Sequence, residues 1–556
     1  MPQKKNGKTE KRRERMAKLF TRSDYILGIR CPRLLWLSRH GEPAAGEVSE
    51  WKLGQLNNEL AVKKYAASAE KCLVIGEDDI YMAAAKTADA LADGKNRCIS
   101  GAAFVAPPLS VRCDMLLRKG ESDYILRVVR ASAHVRQVAC HDAAYQVFVL
   151  AACGIKVSSV EFVKINTAYT VEGNSPLFLT ERITPRVMSQ VGSVGSRLQR
   201  MMKAAAKPKL PEKEIHNGCL NPFECERKSV CFASLPEHNV FDVGGLRRQT
   251  KFDLYREGAV SLWDVANSDS VPPEIRRQAA SAAEGGAPTV KKEELSDFLS
   301  SLWYPMCFLD FEAAQLPFPP YDGIRPFESL AFQYSLHVLD SPGAPIKHTG
   351  CIVAPDKDPR PIIAQRLVRE IPRGACVVAY NMQLERQIIA SLARRFPDLR
   401  GRLSEIYGST RDMMEPFLKG YYYDPKMNGS FSLKKVLAAL YPDDSELDYR
   451  RLSGVHNGQE AQIAYSAIYA GGTADAKTLL SELDKYCSLD TLALYKIYQK
   501  LCAAADMPLP AASRKLSKQR KPAQAKQAEQ EKPEKCESQP KKRLRFPFFR
   551  REKQKA

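Results

Sequence analysis

The period of the apolar positions changes several times along this chain, and each change predicts an element. Thr21-Arg22-Ser23-Asp24 stands ahead of Tyr25, Ile26 and Ile29, a capping sequence followed by helical spacing. Helical patterns follow around residues 50–70 and 80–92. Residues 103–105, 110–117 and 124–129 alternate with period two and predict strands, broken by the turn Lys119-Gly120-Glu121. A helix over about 142–152 and a strand over 157–165 come next. Residues 20–236 therefore predict a first domain of α/β class. Short helical runs joined by small and polar residues mark 240–300 as a connector. A second domain is expected over 303–508, with strands at 306–311, 329–338, 347–353 and 375–380. Its helices are expected at about 360–370, 383–395, 431–440 and 475–502.

Composition adds the class. Of 556 residues, 44% are apolar, enough for sizeable cores. No run approaches the ~18 uninterrupted apolar residues of a membrane span. The basic N-terminus has no apolar stretch after it, so a cytoplasmic protein without a secretory signal is expected. The net charge of +20 is mostly two tails. Residues 1–18 carry eight Lys/Arg against two acids, and residues 514–556 carry sixteen against five. Both tails read as disordered arms, solvated or in contact with nucleic acid. In the second, 541–551 mixes cations with Phe546, Phe548 and Phe549, which fits an inert tail, nucleic acid, a protein partner or a membrane surface alike.

Candidate chemistry lies in three acidic clusters. Asp310 and Glu312 are two apart at the end of an apolar strand pattern, so both project from one face. Asn381 and Glu385 follow the apolar run 376–380. Tyr486 and Asp490 are four apart in a helical pattern and share a face. Hard oxygen ligands of this kind suit Mg²⁺ or Mn²⁺, and such ions clamp the oxygens of phosphodiester cleavage. The blander readings are a solvated strand end, a turn asparagine and a helix surface pair.

On these motifs residues 303–508 resemble the DnaQ-type, or DEDD, 3′–5′ exonucleases of RNase H-like fold. The matching segments are Asp310-Phe311-Glu312, Tyr380-Asn381 with Glu385, and Tyr486-Cys487-Ser488-Leu489-Asp490. The tyrosine resembles the tyrosine subclass. The resemblance implies Asp310, Glu312 and Asp490 as metal ligands, Glu385 as auxiliary acid and Tyr486 as the group holding the attacking water. Glu385 stands where the superfamily usually has Asp, and Asp412 is a second candidate for that place. Arg325-Pro326-Phe327, the stretch from Phe332 to His337 and the stretch from Gly429 to Lys434 widen the likeness. The whole chain resembles an uncharacterised bacterial family that joins such a domain to a RecB-like one.

Fifteen cysteines in a reducing compartment are expected as buried thiols or ligands. Cys219, Cys225 and Cys231 are evenly spaced near the end of the first domain, and Cys31 stands far upstream. Spacing alone leaves iron–sulfur, zinc or unliganded thiols open. Cys31-Pro32-Arg33-Leu34-Leu35-Trp36-Leu37 with the late trio resembles the iron–sulfur nucleases of the RecB-like, PD-(D/E)XK class, which implies a [4Fe–4S] cluster. In that class Asp114 matches the first carboxylate and Gln146 the helix glutamine. Arg127-Val128-Val129-Arg130 stands where Glu-Val-Lys is expected, so this domain is expected to have lost catalysis and to serve binding or assembly. The resulting expectation is a metal-dependent 3′–5′ exonuclease acting on nucleic acid, DNA ahead of RNA. Its rival is an inactive nucleic-acid-binding scaffold.

Overall fold

The computed structural model describes residues 19–41, 50–68, 72–120, 123–212, 214–221, 224–471 and 475–507, all within one compact unit. The arms expected at 1–18 and 509–556, with the basic-aromatic stretch 541–551, lie outside the described residues.

Thr21 caps the first helix, Arg22–Arg30, in a reciprocal box with Asp24, as its sequence predicts. Pro32 then opens a second helix, Pro32–Arg39, leaving Cys31 extended between the two. Helices Glu50–Ser68 and Ile80–Ala92 follow. The strands of this half are β1 (Cys72–Val74), β2 (Cys98–Ser100), β3 (Ala103–Ala106), β4 (Leu109–Arg112), β5 (Met115–Arg118), β6 (Asp123–Val129), β7 (Lys156–Ile165) and β8 (Phe178–Arg182). Six form a mixed sheet ordered β1-β2-β5-β6-β7-β8, while β3 and β4 pair as a hairpin. The parallel pair β6 and β7 is joined by the helix Gln137–Ala152, buried along most of its length. Tyr145 on that helix packs on Tyr25, and its hydroxyl lies 2.8 Å from the carbonyls of Phe20 and Ser110. That contact fixes the chain start to the sheet.

One expectation is corrected here. Residues 110–117 are two strands, not one, because the chain changes partners at Cys113 and Asp114. Before the break it pairs with β3, and after it with β2 and β6. The helix expected from 142 begins a turn earlier, at Gln137.

Residues 240–300 are short helices with their own small core of Val240, Val243, Leu254, Leu262 and Val265. The segment also holds β9 (Thr289–Val290), and beyond it come β10 (Met306–Gln315), β11 (Ser329–Leu339), β12 (Lys347–Ile352), β13 (Cys376–Ala379), β14 (Thr410–Asp412) and β15 (Tyr422–Tyr423). Five form a second mixed sheet ordered β12-β11-β10-β13-β14. Strand β10 runs antiparallel to β11 and parallel to β13, so it is central. Its residues alternate between two cores. Met306 and Phe308 face helices Gly458–Tyr469 and Ala476–Ala504. Cys307, Leu309 and Phe311 face helices Pro359–Glu370, Gln383–Arg395 and Arg400–Gly408.

Phe318, just past β10, is buried with Ala61, Met115, Val129 and Val163 of the first half. The two sheets thus share an apolar cluster. The described residues make a mixed α/β protein, and no helix among them is long and apolar enough to cross a membrane.

Candidate functional site

The central strand places the first two acids. Asp310 and Glu312 lie on the same side of β10, where the strand extends past the end of its parallel partner β13. A bulge follows at Glu312 and Ala313, a common device for re-aiming a side chain at a sheet end. The long helix Ala476–Ala504 packs across β10 and brings Asp490 to the same point. One carboxylate oxygen from each of Asp310, Glu312 and Asp490 lies within 4.8 Å of the others, the only such metal-type grouping among the described residues.

Three buried carboxylates this close raise each other. Burial, then Asp490, Glu312 and Glu385 hold Asp310 well above the ordinary carboxyl range. Burial and Asp490 likewise raise Glu312, and burial pushes Asp490 up to about 6 against two hydroxyl hydrogen bonds. Those bonds come from Tyr449, 2.5 Å from Asp490 Oδ1, and from Tyr486. Cys487 also donates to Asp310 Oδ2 at 3.5 Å.

Glu385 sits in the first turn of Gln383–Arg395, is buried, and is pushed up to about 8 by burial. Its charge reaches both Asp310 and Glu312. Its Oε2 is buried without a hydrogen-bond partner, the condition of an oxygen awaiting a cation. Asp412 is committed elsewhere: it accepts from the backbone amides of Asn381 at 2.8 Å, Met382 at 3.3 Å and Met414 at 2.9 Å. Asn381 is exposed, with φ of 56°, and serves this turn. The donor set, all oxygen and clustered, fits Mg²⁺ or Mn²⁺.

Two groups in this pocket carried no role in the sequence reading. Tyr449 is one and Lys434 the other. The ammonium of Lys434 lies 4.7 Å from the ring centres of both Tyr449 and Tyr486 and donates to the His456 carbonyl. Tyr449 lies in a short 3₁₀ turn and has no sequence signal; Lys434 stood at the end of a quoted stretch.

A family model described as a domain of unknown function, DUF2779, matches residues 307–432. That match holds β10 through β14 and Glu385, and ends two residues before Lys434. No curated protein and no solved structure matches the chain.

The first sheet holds a second acid cluster with a different solution. Asp114, at the strand break, accepts from the Val129 amide at 3.0 Å, from Arg22 at 2.8 Å and from Arg130. Asp142, which the sequence reading passed over, binds the same two arginines, at 2.8 Å from Arg22 Nη2. Gln146 donates to Asp142 at 3.3 Å rather than facing open space. Burial opposes the charge on Arg22, but the two aspartates outweigh it and hold the guanidinium protonated. Two fixed cations occupy the gap between the carboxylates.

The four candidate cysteines lie near enough to act on one another electrostatically. Arg30 donates to the Gly218 carbonyl at 3.1 Å, setting Cys31 beside Cys219, and the Cys225 amide donates to the Cys219 carbonyl at 2.8 Å. Burial raises the Cys219 thiol, with Cys31, Cys225 and Cys231 adding to it. Burial raises Cys231 too, against Arg33. Among the described residues no three of these sulfurs lie within 4.8 Å of one another. Sulfurs sharing one tetrahedral zinc would sit ~3.8 Å apart.

Replacing Arg130 by Met should leave Asp114 and Asp142 under-compensated in a buried site, costing ~3–5 kcal/mol in urea unfolding. A loss under 1 kcal/mol would show that the ring is not structural. The acid cluster sets a pH window. Asp490 and Glu385 hold protons in the folded state that the unfolded chain has already lost. Their stabilisation is therefore complete below about pH 4 and lost as pH rises through 6 and then 8. Divalent ions bind the deprotonated form, so the Mn²⁺-induced rise in unfolding temperature should be larger at pH 8.5 than at pH 5.5. Equal shifts at the two pH values would contradict the assignment.

Proposed function

We propose that the C-terminal sheet is a metal-dependent 3′–5′ exonuclease domain of the DEDD, tyrosine-bearing type on an RNase H-like fold. The observation that carries this reading is the meeting of Asp310, Glu312 and Asp490 from two distant segments. The mixed sheet with a central strand bearing the first two acids supports the fold assignment. Asp310, Glu312 and Asp490 would hold the ions, with Glu385 as auxiliary acid. Bound there, Mg²⁺ or Mn²⁺ supplies charge neutralisation at the scissile phosphate and lowers the pKa of water. Tyr449 donates to the Asp490 carboxylate, and Tyr486, which also acts on Asp490, would orient the attacking water. Glu385 is longer than the usual Asp by a methylene, yet its position in the first helical turn delivers it to the same acids.

The N-terminal sheet is read as a RecB-like, PD-(D/E)XK domain that no longer cuts. Arg22 and Arg130 fill the space between Asp114 and Asp142 where a divalent ion would be needed. That domain then serves binding or assembly, and Cys31, Cys219, Cys225 and Cys231 staple its two ends around an iron–sulfur cluster. The substrate class is nucleic acid, DNA ahead of RNA, in the cytoplasm.

Purified protein with Mn²⁺ should shorten a 5′-labelled single strand into a ladder from its 3′ end. Asp310→Asn and Asp490→Asn should each reduce the rate at least ~10³-fold, the scale of losing essential transition-state stabilisation. Equal product from wild type and Asp310→Asn would sink the enzymatic reading and leave the scaffold. Protein purified without oxygen should be brown, and Cys219→Ser should bleach its broad visible band. A colourless protein containing zinc would defeat the cluster assignment.

A further inference from the structure

Lys434 is placed with care that the acid site alone does not explain. The strap leading to it is held at both ends. Gly244 donates to the Asn428 carbonyl at 2.7 Å and packs so closely that a Cβ there would fall 1.6 Å from the Gly429 oxygen. On the other side, Tyr380 donates to the Phe431 carbonyl at 2.6 Å. Asn428 and Gly429 take left-handed conformations, and Ser432 starts the helix Leu433–Leu440. The lysine is in that helix's first turn, where a cation gains nothing from the helix dipole.

The ammonium is half-buried between two tyrosine faces, which favour a cation. Asp490, Glu460, Glu312 and Asp310 all act on it electrostatically. Even so, among the described residues no carboxylate oxygen is within 4.0 Å of its Nζ. A lysine meant only to neutralise the acids would close that gap, as Arg22 and Arg130 do in the other sheet. An ammonium has three donors, and among the described residues its hydrogen bond goes to the His456 carbonyl. Its other two donors have no hydrogen bond to the described residues, while the acids that act on it stand beyond 4.0 Å.

We propose that Lys434 is the phosphate-binding cation of the site. It donates to a non-bridging oxygen of the 3′-terminal phosphodiester, on the side of that group away from Asp310, Glu312 and Asp490. This deepens the exonuclease reading and rests on it. The phosphodiester must lie beside the acids to be cut there. An anionic oxygen between the lysine and the acid-bound ions then completes an alternation of charge across the pocket. The same geometry makes Tyr449 and Tyr486 walls for two tasks, the cation on their faces and Asp490 at their hydroxyls.

The test uses the full chain with Lys434→Gln and Lys434→Arg. Binding of a 5′-fluorescein oligothymidylate is followed by anisotropy in EDTA, so that no turnover occurs, over a series of salt concentrations. Lys434→Gln should weaken binding about tenfold and flatten the log affinity against log salt slope by ~0.7, the signature of one lost phosphate contact on a single strand. With Mn²⁺, it should lower kcat/KM at least tenfold, while Lys434→Arg recovers part of both effects. The Mn²⁺-induced thermal shift without nucleic acid should persist in both variants, which shows that the acid site is still folded. If Lys434→Gln is unfolded, Lys434→Met, which keeps an apolar stem between the two rings, carries the salt-slope comparison with the same expected flattening of ~0.7, and a folded Met variant with the wild-type slope overturns the proposal. A folded Lys434→Gln with wild-type affinity, slope and kcat/KM overturns the proposal and leaves the exonuclease reading standing. Wild-type protein that shows no Asp310-dependent cleavage overturns that reading, and this one with it.

Discussion

Buried carboxylates in contact repel one another, and a protein that gathers them must supply positive charge or keep them protonated. That constraint organises both halves of this molecule. Taking several acids out of water costs several kcal/mol each unless a cation or hydrogen bonds offset it. The chain solves the problem twice. In the N-terminal sheet, Arg22 and Arg130 bridge Asp114 and Asp142 into a closed ring. In the C-terminal sheet, Asp310, Glu312 and Asp490 receive hydroxyls, a thiol and a distant lysine, and they remain raised well above their ordinary range or to about 6. Burial raises the acids of both clusters, but only the first has guanidinium groups in direct contact with its carboxylates.

The local parts of this arrangement were legible in the sequence. Asp310 and Glu312 share a face because strands alternate, and their apolar prelude marks the strand. Tyr486 and Asp490 share a face because helices repeat every 3.6 residues. The cap at Thr21 needed only four consecutive residues. Some long elements, such as Glu50–Ser68 and Ala476–Ala504, match the sequence pattern within a few residues of their ends, whereas the helices Val194–Ala205 and Gly458–Tyr469 were not expected from it. The three-residue strands β1 and β2 carry no period to read. The break at Asp114 was hidden because its cause is a change of pairing partner, which involves strands distant in sequence.

Groups that act through tertiary contact were the ones missed. Arg22 lies in a capping sequence and Asp142 on a helix, 120 residues away, and neither position signals the other. Tyr449 reaches Asp490 across 41 residues from a short turn. In sequence Asp412 stands as a second candidate for the place of Glu385. The backbone separates them. Three amides consume the Asp412 oxygens, whereas Glu385 keeps one oxygen without a partner. Ligand candidates of equal sequence rank are thus divided by which has spare lone pairs.

The kind of cation chosen also divides the two sheets by role. A guanidinium is always charged and forks across two carboxylates, so it locks geometry and excludes any ion that would compete for the same oxygens. An ammonium on a long stem behaves differently. Lys434 stands back from its carboxylates, braced by rings and one carbonyl, and so contributes field without closing the pocket. The same requirement for positive charge is therefore met by direct contact in one sheet and by a cation held at a distance in the other.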